Sequence, residues 1–235
     1  MSQFRVRSGF VVRALLVLII VPTALYGFLL ILQAYSAWQA TRTLDRLEAL
    51  RLGDPAADFD RAVRSCRAEF GTRTLTAGAY RFDWIYSKLW NLAPPLSEGL
   101  YDALDLGGLH YWRLNAADTV QDGRIADLSV GLMDVGRGET FGAQWRIAST
   151  IPERCLRRFQ NKNTSTCVSP FAINNNPGGE GYQFFLTDQS SERDLNSRIV
   201  NRSCLFPLHS CRSISEFLPR ASGLIQEQNV SISHD

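Results

Sequence analysis

Nineteen consecutive residues from Ala14 to Leu32 carry no charge, with Arg5, Arg7 and Arg13 ahead of them, and this run constrains the chain more than any other feature. A helix rises about 1.5 Å per residue, so the run reaches roughly 28 Å, close to the roughly 30 Å hydrocarbon core of a bilayer. No other stretch approaches that length, and the sequence predicts a single transmembrane helix over 14–36. A cleaved secretory signal is the competing reading, since Ala34 and Ser36 offer a small-x-small site. Its apolar region spans only about 7 to 15 residues, however. Here the uncharged sequence continues through Tyr35 and Trp38 to Thr41, which puts aromatic rings where an interfacial belt belongs. Pro22 lies within the span and deprives the Leu18 carbonyl of its usual donor, a loss that Thr23 or a local adjustment must offset.

The flanks of the span do not orient it. Arg42, Arg46 and Arg51 follow it as Arg5, Arg7 and Arg13 precede it, so the positive-inside rule is balanced. Two other features decide the expectation: the basic tail 1–13 is short, and all five cysteines lie after the span, which suits an oxidising compartment. The tail is therefore expected in the cytoplasm and the rest outside the cell membrane. Of 25 basic residues only Lys88 and Lys162 are lysines, a bias that fits a GC-rich bacterial genome. In that setting the glycosylation-like triplets at Asn163, Asn201 and Asn229 have no meaning.

Roughly 190 residues follow the span, enough for one domain with a real core. A net charge of +2 and a charged fraction of 20% exclude a strongly basic nucleic-acid binder. Leu44, Leu47 and Leu50 keep helical spacing after Trp38, so 37–53 reads as a helical stalk continuing the span. A second helix then opens with Asp54 as cap and Pro55 in the first turn, and Phe59, Val63, Cys66 and Phe70 form its apolar stripe before Gly71. Gly53 and this capped helix, within Leu50 to Val63, resemble the opening of small envelope-assembly lipoproteins, without their lipid-bearing cysteine.

Short, glycine-punctuated strands come next, at 79–84, 109–115, 124–133 and 139–148. Gln121-Asp122-Gly123 predicts a hairpin turn joining Thr119-Val120 to Arg124-Ile125. A helix at 96–104 interrupts the strands. Thr150-Ile-Pro-Glu153 is a capping box, and Ile151, Cys155 and Phe159 make the apolar face of the helix it opens. A loop at 174–181 leads to a strand at 182–187. Ser191-Glu-Arg-Asp194 and Ser213-Ile-Ser-Glu216 each start a further helix. The expected architecture is α+β: the N-terminal transmembrane helix, then one domain at 54–220 with an antiparallel sheet packed against several helices, and a polar flexible tail at 221–235.

Cys204 and Cys211 flank a six-residue loop turned by Pro207, which makes them the leading disulfide candidates. Cys155 and Cys167 are a weaker second pair, and Cys66 on its apolar helix face reads as a free, packed thiol. Zinc sites favour C-x2-4-C spacings, which neither pair has, even with His209 close to Cys204 and Cys211. His110, His209 and His234 stand too far apart for a zinc-peptidase motif, and no Gly-x-Ser-x-Gly is present. Pro177-Gly-Gly-Glu-Gly181 lacks the lysine and hydroxyl of a phosphate loop. Asp118, Asp122 and Asp127 break the calcium-loop pattern at Val120 and read as solvated turn carboxylates. Arg154, Arg157 and Arg158 read as a solvated basic face.

No catalytic residue, cofactor or metal site is therefore assigned from sequence. The chain reads as a membrane-anchored envelope protein with a binding or structural role, its partners the bilayer, an envelope protein, and no nucleic acid. A tethered hydrolase or small-ligand carrier is the alternative. A deep pocket with convergent polar groups and perturbed ionisations would favour the alternative, and an open patch the former. Trp84, Tyr86, Trp90, Tyr111 and Trp112 suit either, or plain core packing.

Overall fold

The computed structural model describes residues 3–64, 70–83, 108–109, 112–134, 141–153, 155, 166–171, 180–209, 211 and 213–230. Helix α1, Gln3–Ala49, is one uninterrupted helix of 47 residues with Pro22 inside it. The Thr23 hydroxyl donates to the Ile19 carbonyl at 2.7 Å, one residue beyond the Leu18 carbonyl that Pro22 strips of its donor. From Arg13 to Leu25 every residue is exposed, and this helix is long and apolar enough to cross a membrane. Its C-terminal part is different. Ala37, Ala40, Leu44 and Leu47 are wholly buried at i, i+3, i+7 and i+10, so the segment read as a stalk is a core element of the domain.

Seven strands form one sheet in the order β1-β2-β3-β4-β5-β7-β6. They are β1 (Phe70–Arg73), β2 (Ala77–Asp83), β3 (Trp112–Gln121), β4 (Arg124–Asp134), β5 (Phe141–Ala148), β6 (Thr166–Phe171) and β7 (Glu180–Leu186). The sheet is mixed, not purely antiparallel. β7 slots between β5 and its own hairpin partner β6, and so runs parallel to β5. Phe70, expected on the helix stripe, begins β1 opposite Arg81. Gly71 admits the ring of Tyr80, since a Cβ there would meet ring carbons at 2.8 Å.

The β3–β4 hairpin forms as its turn sequence predicts, with Asp122 and Gly123 both at positive φ, 52° and 75°. This hairpin receives the loop after α1. Gly53 N–H donates to Ile125 C=O at 2.8 Å, Ile125 N–H to Asp54 C=O at 2.9 Å, and Ala56 N–H to Gly123 C=O at 3.0 Å. Asp54 accepts from Arg51 N–H at 2.8 Å, closing the end of α1 just before α2 (Ala56–Arg64).

The period-2 alternation splits the sheet into two faces. Tyr80, Ala116, Val130, Trp145, Phe184 and Val168 lie abreast across it, with Phe82, Leu114, Leu132 and Ala143 in the next row. These rows share one core with α1, with Phe59 and Val63 of α2, and with the C-terminal segment. That segment holds α3 (Glu192–Ser197) capped by Ser191, a 3-10 turn (Arg202–Leu205) capped by Asn201, α4 (Ile214–Phe217) capped by Ser213, and α5 (Ser222–Val230). The expected polar tail is thus a helix as far as Val230, and Ala221 and Ile225 reach the core. The predicted helix at 96–104 lies outside the described residues.

Candidate functional site: the open face of the sheet

The second face of the sheet carries different chemistry. Arg81, Asn115, Gly131 and Gln144 form one cross-strand row, and Thr72, Ala79, Ala117, Ser129 and Arg146 the next. Small side chains in the middle of these rows leave a groove of about 420 Å³ over β1 to β5. Thr72, Arg81, Asn115, Ser129, Met133 and Gln144 are among the residues lining it. Gln144 Nε2 donates to Ser129 Oγ at 3.2 Å, which orients both polar groups. Among the described residues a Cβ at Gly131 would meet only the Gln144 side chain, at 3.8 Å, an ordinary contact, so the glycine leaves space in the groove. The surface of the groove is mainly apolar, from Ala79, Ala116, Ala117 and Met133, with hydroxyl, amide and guanidinium groups set among them, the mixture usual in a binding surface.

Arg146 stands beside Ser129 in register and reaches diagonally to Asp127. Its Nε and Nη2 donate to Asp127 Oδ2 at 2.8 and 2.5 Å, and this bond raises the pKa of the guanidinium. Further along the same face the sheet is covered. Phe185 and Cys167 continue the row of Arg146, and with Cys155 and Ile151 they make a small separate core. Cys155 and Cys167 stand at disulfide distance with their Cα atoms 6.1 Å apart, which pins residue 155 over β6.

A second polar cluster lies where α1 meets the C-terminal segment. Arg202 Nη2 donates to Glu48 Oε2 at 2.5 Å and to Asp45 Oδ1 at 2.9 Å. Arg198, buried, donates to the backbone carbonyl of Glu48. Burial outweighs these cations and raises the pKa of Glu48, whose Oε1 is buried with no hydrogen-bond partner among the described residues. Burial, with Arg51 nearby, lowers that of Arg198 to about 10. This cluster holds two elements together and does not open on the groove.

Cys204 and Cys211 stand at disulfide distance, their Cα atoms 5.2 Å apart, and His209 is exposed on the loop between them. Among the described residues no group of His, Cys, Asp and Glu is arranged to hold a metal ion. Asp118 is buried on the core face, unlike the solvated carboxylate expected, while Asp122 occupies the turn and Asp127 pairs with Arg146. The three do not converge. Trp112 is core, its ring stacked on Phe217 at 5.4 Å. Cys66, His110, His234, Trp84, Tyr86, Trp90, Tyr111, Arg154, Arg157 and Arg158 lie outside the described residues.

The groove residues escaped sequence reasoning, although Asn115-Ala116-Ala117 and Ser129-Val130-Gly131 carry the alternation that marks a polar sheet face. Comparison with known proteins finds no family model, no curated protein and no solved structure that matches this chain. The short lipoprotein resemblance at 50–63 therefore carries no family assignment.

Proposed function

We propose that this chain is a single-pass membrane protein with its N-terminus in the cytoplasm and its domain outside, and that the domain binds a partner in the cell envelope along the open sheet face. The observation that carries the reading is the groove itself: an open, mainly apolar surface with a few hydrogen-bonding groups, built on paired strands. Glu48, Arg198 and Arg146, whose ionisation is shifted among the described residues, do not line it. An acid–base site would concentrate such groups where substrate sits. The exposed apolar ring of α1 from Ala14 to Leu25 supports the anchor, and the two cysteine pairs support an oxidising compartment for the domain.

The test is photo-crosslinking in the protein's own membrane, with p-benzoylphenylalanine in place of the exposed Thr72 at the groove. A discrete adduct of protein mass is expected, and Gly131→Trp, which fills the groove, should reduce it at least fivefold. An adduct of small-molecule mass would transfer the reading to the carrier alternative. No adduct, or one indifferent to Gly131→Trp, would overturn groove binding.

A further inference from the structure

The free apolar part of α1 is too short to cross a bilayer by itself. Residues 14–25 are exposed on all sides, and at about 1.5 Å each they account for about 18 Å of a roughly 30 Å hydrocarbon core. The remaining distance, about eight residues, is taken mainly on the domain side, because Arg13, at the end of the apolar run, holds its charge at the opposite interface. It falls on residues 26–33, where α1 has two sides. Tyr26, Leu29 and Leu30 pack against the wholly buried Leu109, whereas Phe28 and Ile31 are 55% and 68% exposed. Beyond them Tyr35 and Trp38 stack at 5.9 Å, Gln39 donates to the Tyr35 hydroxyl, and Arg42 lies 4.6 Å over the Trp38 ring. These are the groups of a membrane–water interface. Leu109 therefore lies at hydrocarbon depth.

Leu109 brings a second segment with it. Leu208 N–H donates to the Gly108 carbonyl at 3.0 Å. Gly108, at φ 89°, allows this approach, since a Cβ would stand 2.8 Å from the Leu208 backbone. His209 N–H returns to Phe206 C=O at 3.3 Å across Pro207-Leu208, and Leu208 takes φ 65°. Proline followed by a positive φ is the pattern of a type II turn, whose third position favours glycine or asparagine. A leucine there is strained and, at 66% exposed, buries little in the protein. The Cys204–Cys211 pair closes the loop that carries it.

We propose that the Phe206–His209 turn is a membrane wedge: Leu208 inserts between acyl chains of the leaflet nearer the domain, beside α1. The proposal rests on the transmembrane reading of α1. It commits to lipid because Phe28 and Ile31, apolar and uncovered, share the depth of the Leu109 contact. The domain then sits partly in the bilayer instead of standing above it.

The full chain is placed in vesicles of phosphatidylcholine and phosphatidylglycerol with p-benzoylphenylalanine at one of three positions: Leu208, Leu18 within the span, or Leu75. Leu75 is 97% exposed on the β1–β2 turn, one strand away from the hairpin that meets the far end of α1. Lipid adducts are expected at Leu208 and Leu18, at least tenfold above Leu75. Adducts at Leu18 with only background at Leu208 would overturn the wedge and leave the span standing, whereas background at both would overturn both. A protein adduct at Leu208 in place of lipid would also overturn it. Label at the exposed His209, on the same turn, repeats the reading if the Leu208 variant fails to fold.

Discussion

Glu48 is a carboxylate flanked by arginines whose pKa nevertheless rises, because loss of water at this site exceeds the attraction of Arg202 and Arg198. The folded state therefore holds a proton that the unfolded chain has released between the ordinary value of 4.5 and the raised one. In that window stability from this group declines as pH rises, the reverse of an acid held by a dominant salt bridge. Glu48→Gln keeps the shape and an acceptor for Arg202 without the charge. It is expected to equal or exceed the parent in denaturant stability at pH 8, by up to about 1 kcal/mol, with the difference vanishing well below the ordinary value of 4.5, where the carboxyl is protonated in both states. A loss of more than about 2 kcal/mol at pH 8 would mean that the ion pairs win instead. Nothing in the sequence announces this residue, since its partners lie some 150 positions away. Ser191 and Ser213 were legible because capping is local: each accepts a hydrogen bond from an N–H three residues on.

At the scale of elements, the uncharged run marked the span within α1 and periodicity its continuation, but neither showed what the second half of the helix touches. Leu44 and Leu47 have the same spacing whether they face solvent, lipid or a sheet, and only the fold buries them. Hairpins were legible where the turn chemistry is local, as at Asp122-Gly123. The parallel β5–β7 pair was not, because strand insertion leaves no mark on alternation within either strand. The burial of α1 has a direct consequence for the domain boundary. Deleting a wholly buried leucine costs about 2 to 5 kcal/mol, and a domain this size has about 5 to 15 in all. A chain beginning at Asp54 is therefore expected to lack a cooperative thermal transition by circular dichroism, while one beginning at Gln33 retains it. In the full chain, Leu44→Ala with Leu47→Ala should lower denaturant stability by about 4 kcal/mol or more. Equal melting of the chains beginning at Gln33 and at Asp54 would restore the stalk.

Across the whole molecule, the two cysteine pairs connect stability, membrane side and function. One fastens residue 155 onto β6 beside the open face, and the other closes the loop that presents Leu208. Their separations are 12 and 7 residues, for which loop-closure entropy gives about 2 to 3 kcal/mol each. A reducing compartment would forfeit that stabilisation, so under the proposed single-pass topology the state of these thiols in the cell tests which side the domain occupies. Non-reducing peptide mass spectrometry on the native membrane fraction, with thiols blocked before lysis, is expected to recover both pairs linked. Alkylation of all four thiols would reverse the topology, placing the domain in the cytoplasm. Linkage of Cys204 and Cys211 alone would keep the domain outside, and would leave the cover over β6 held only by the packing of Ile151, Phe185 and the two free cysteines.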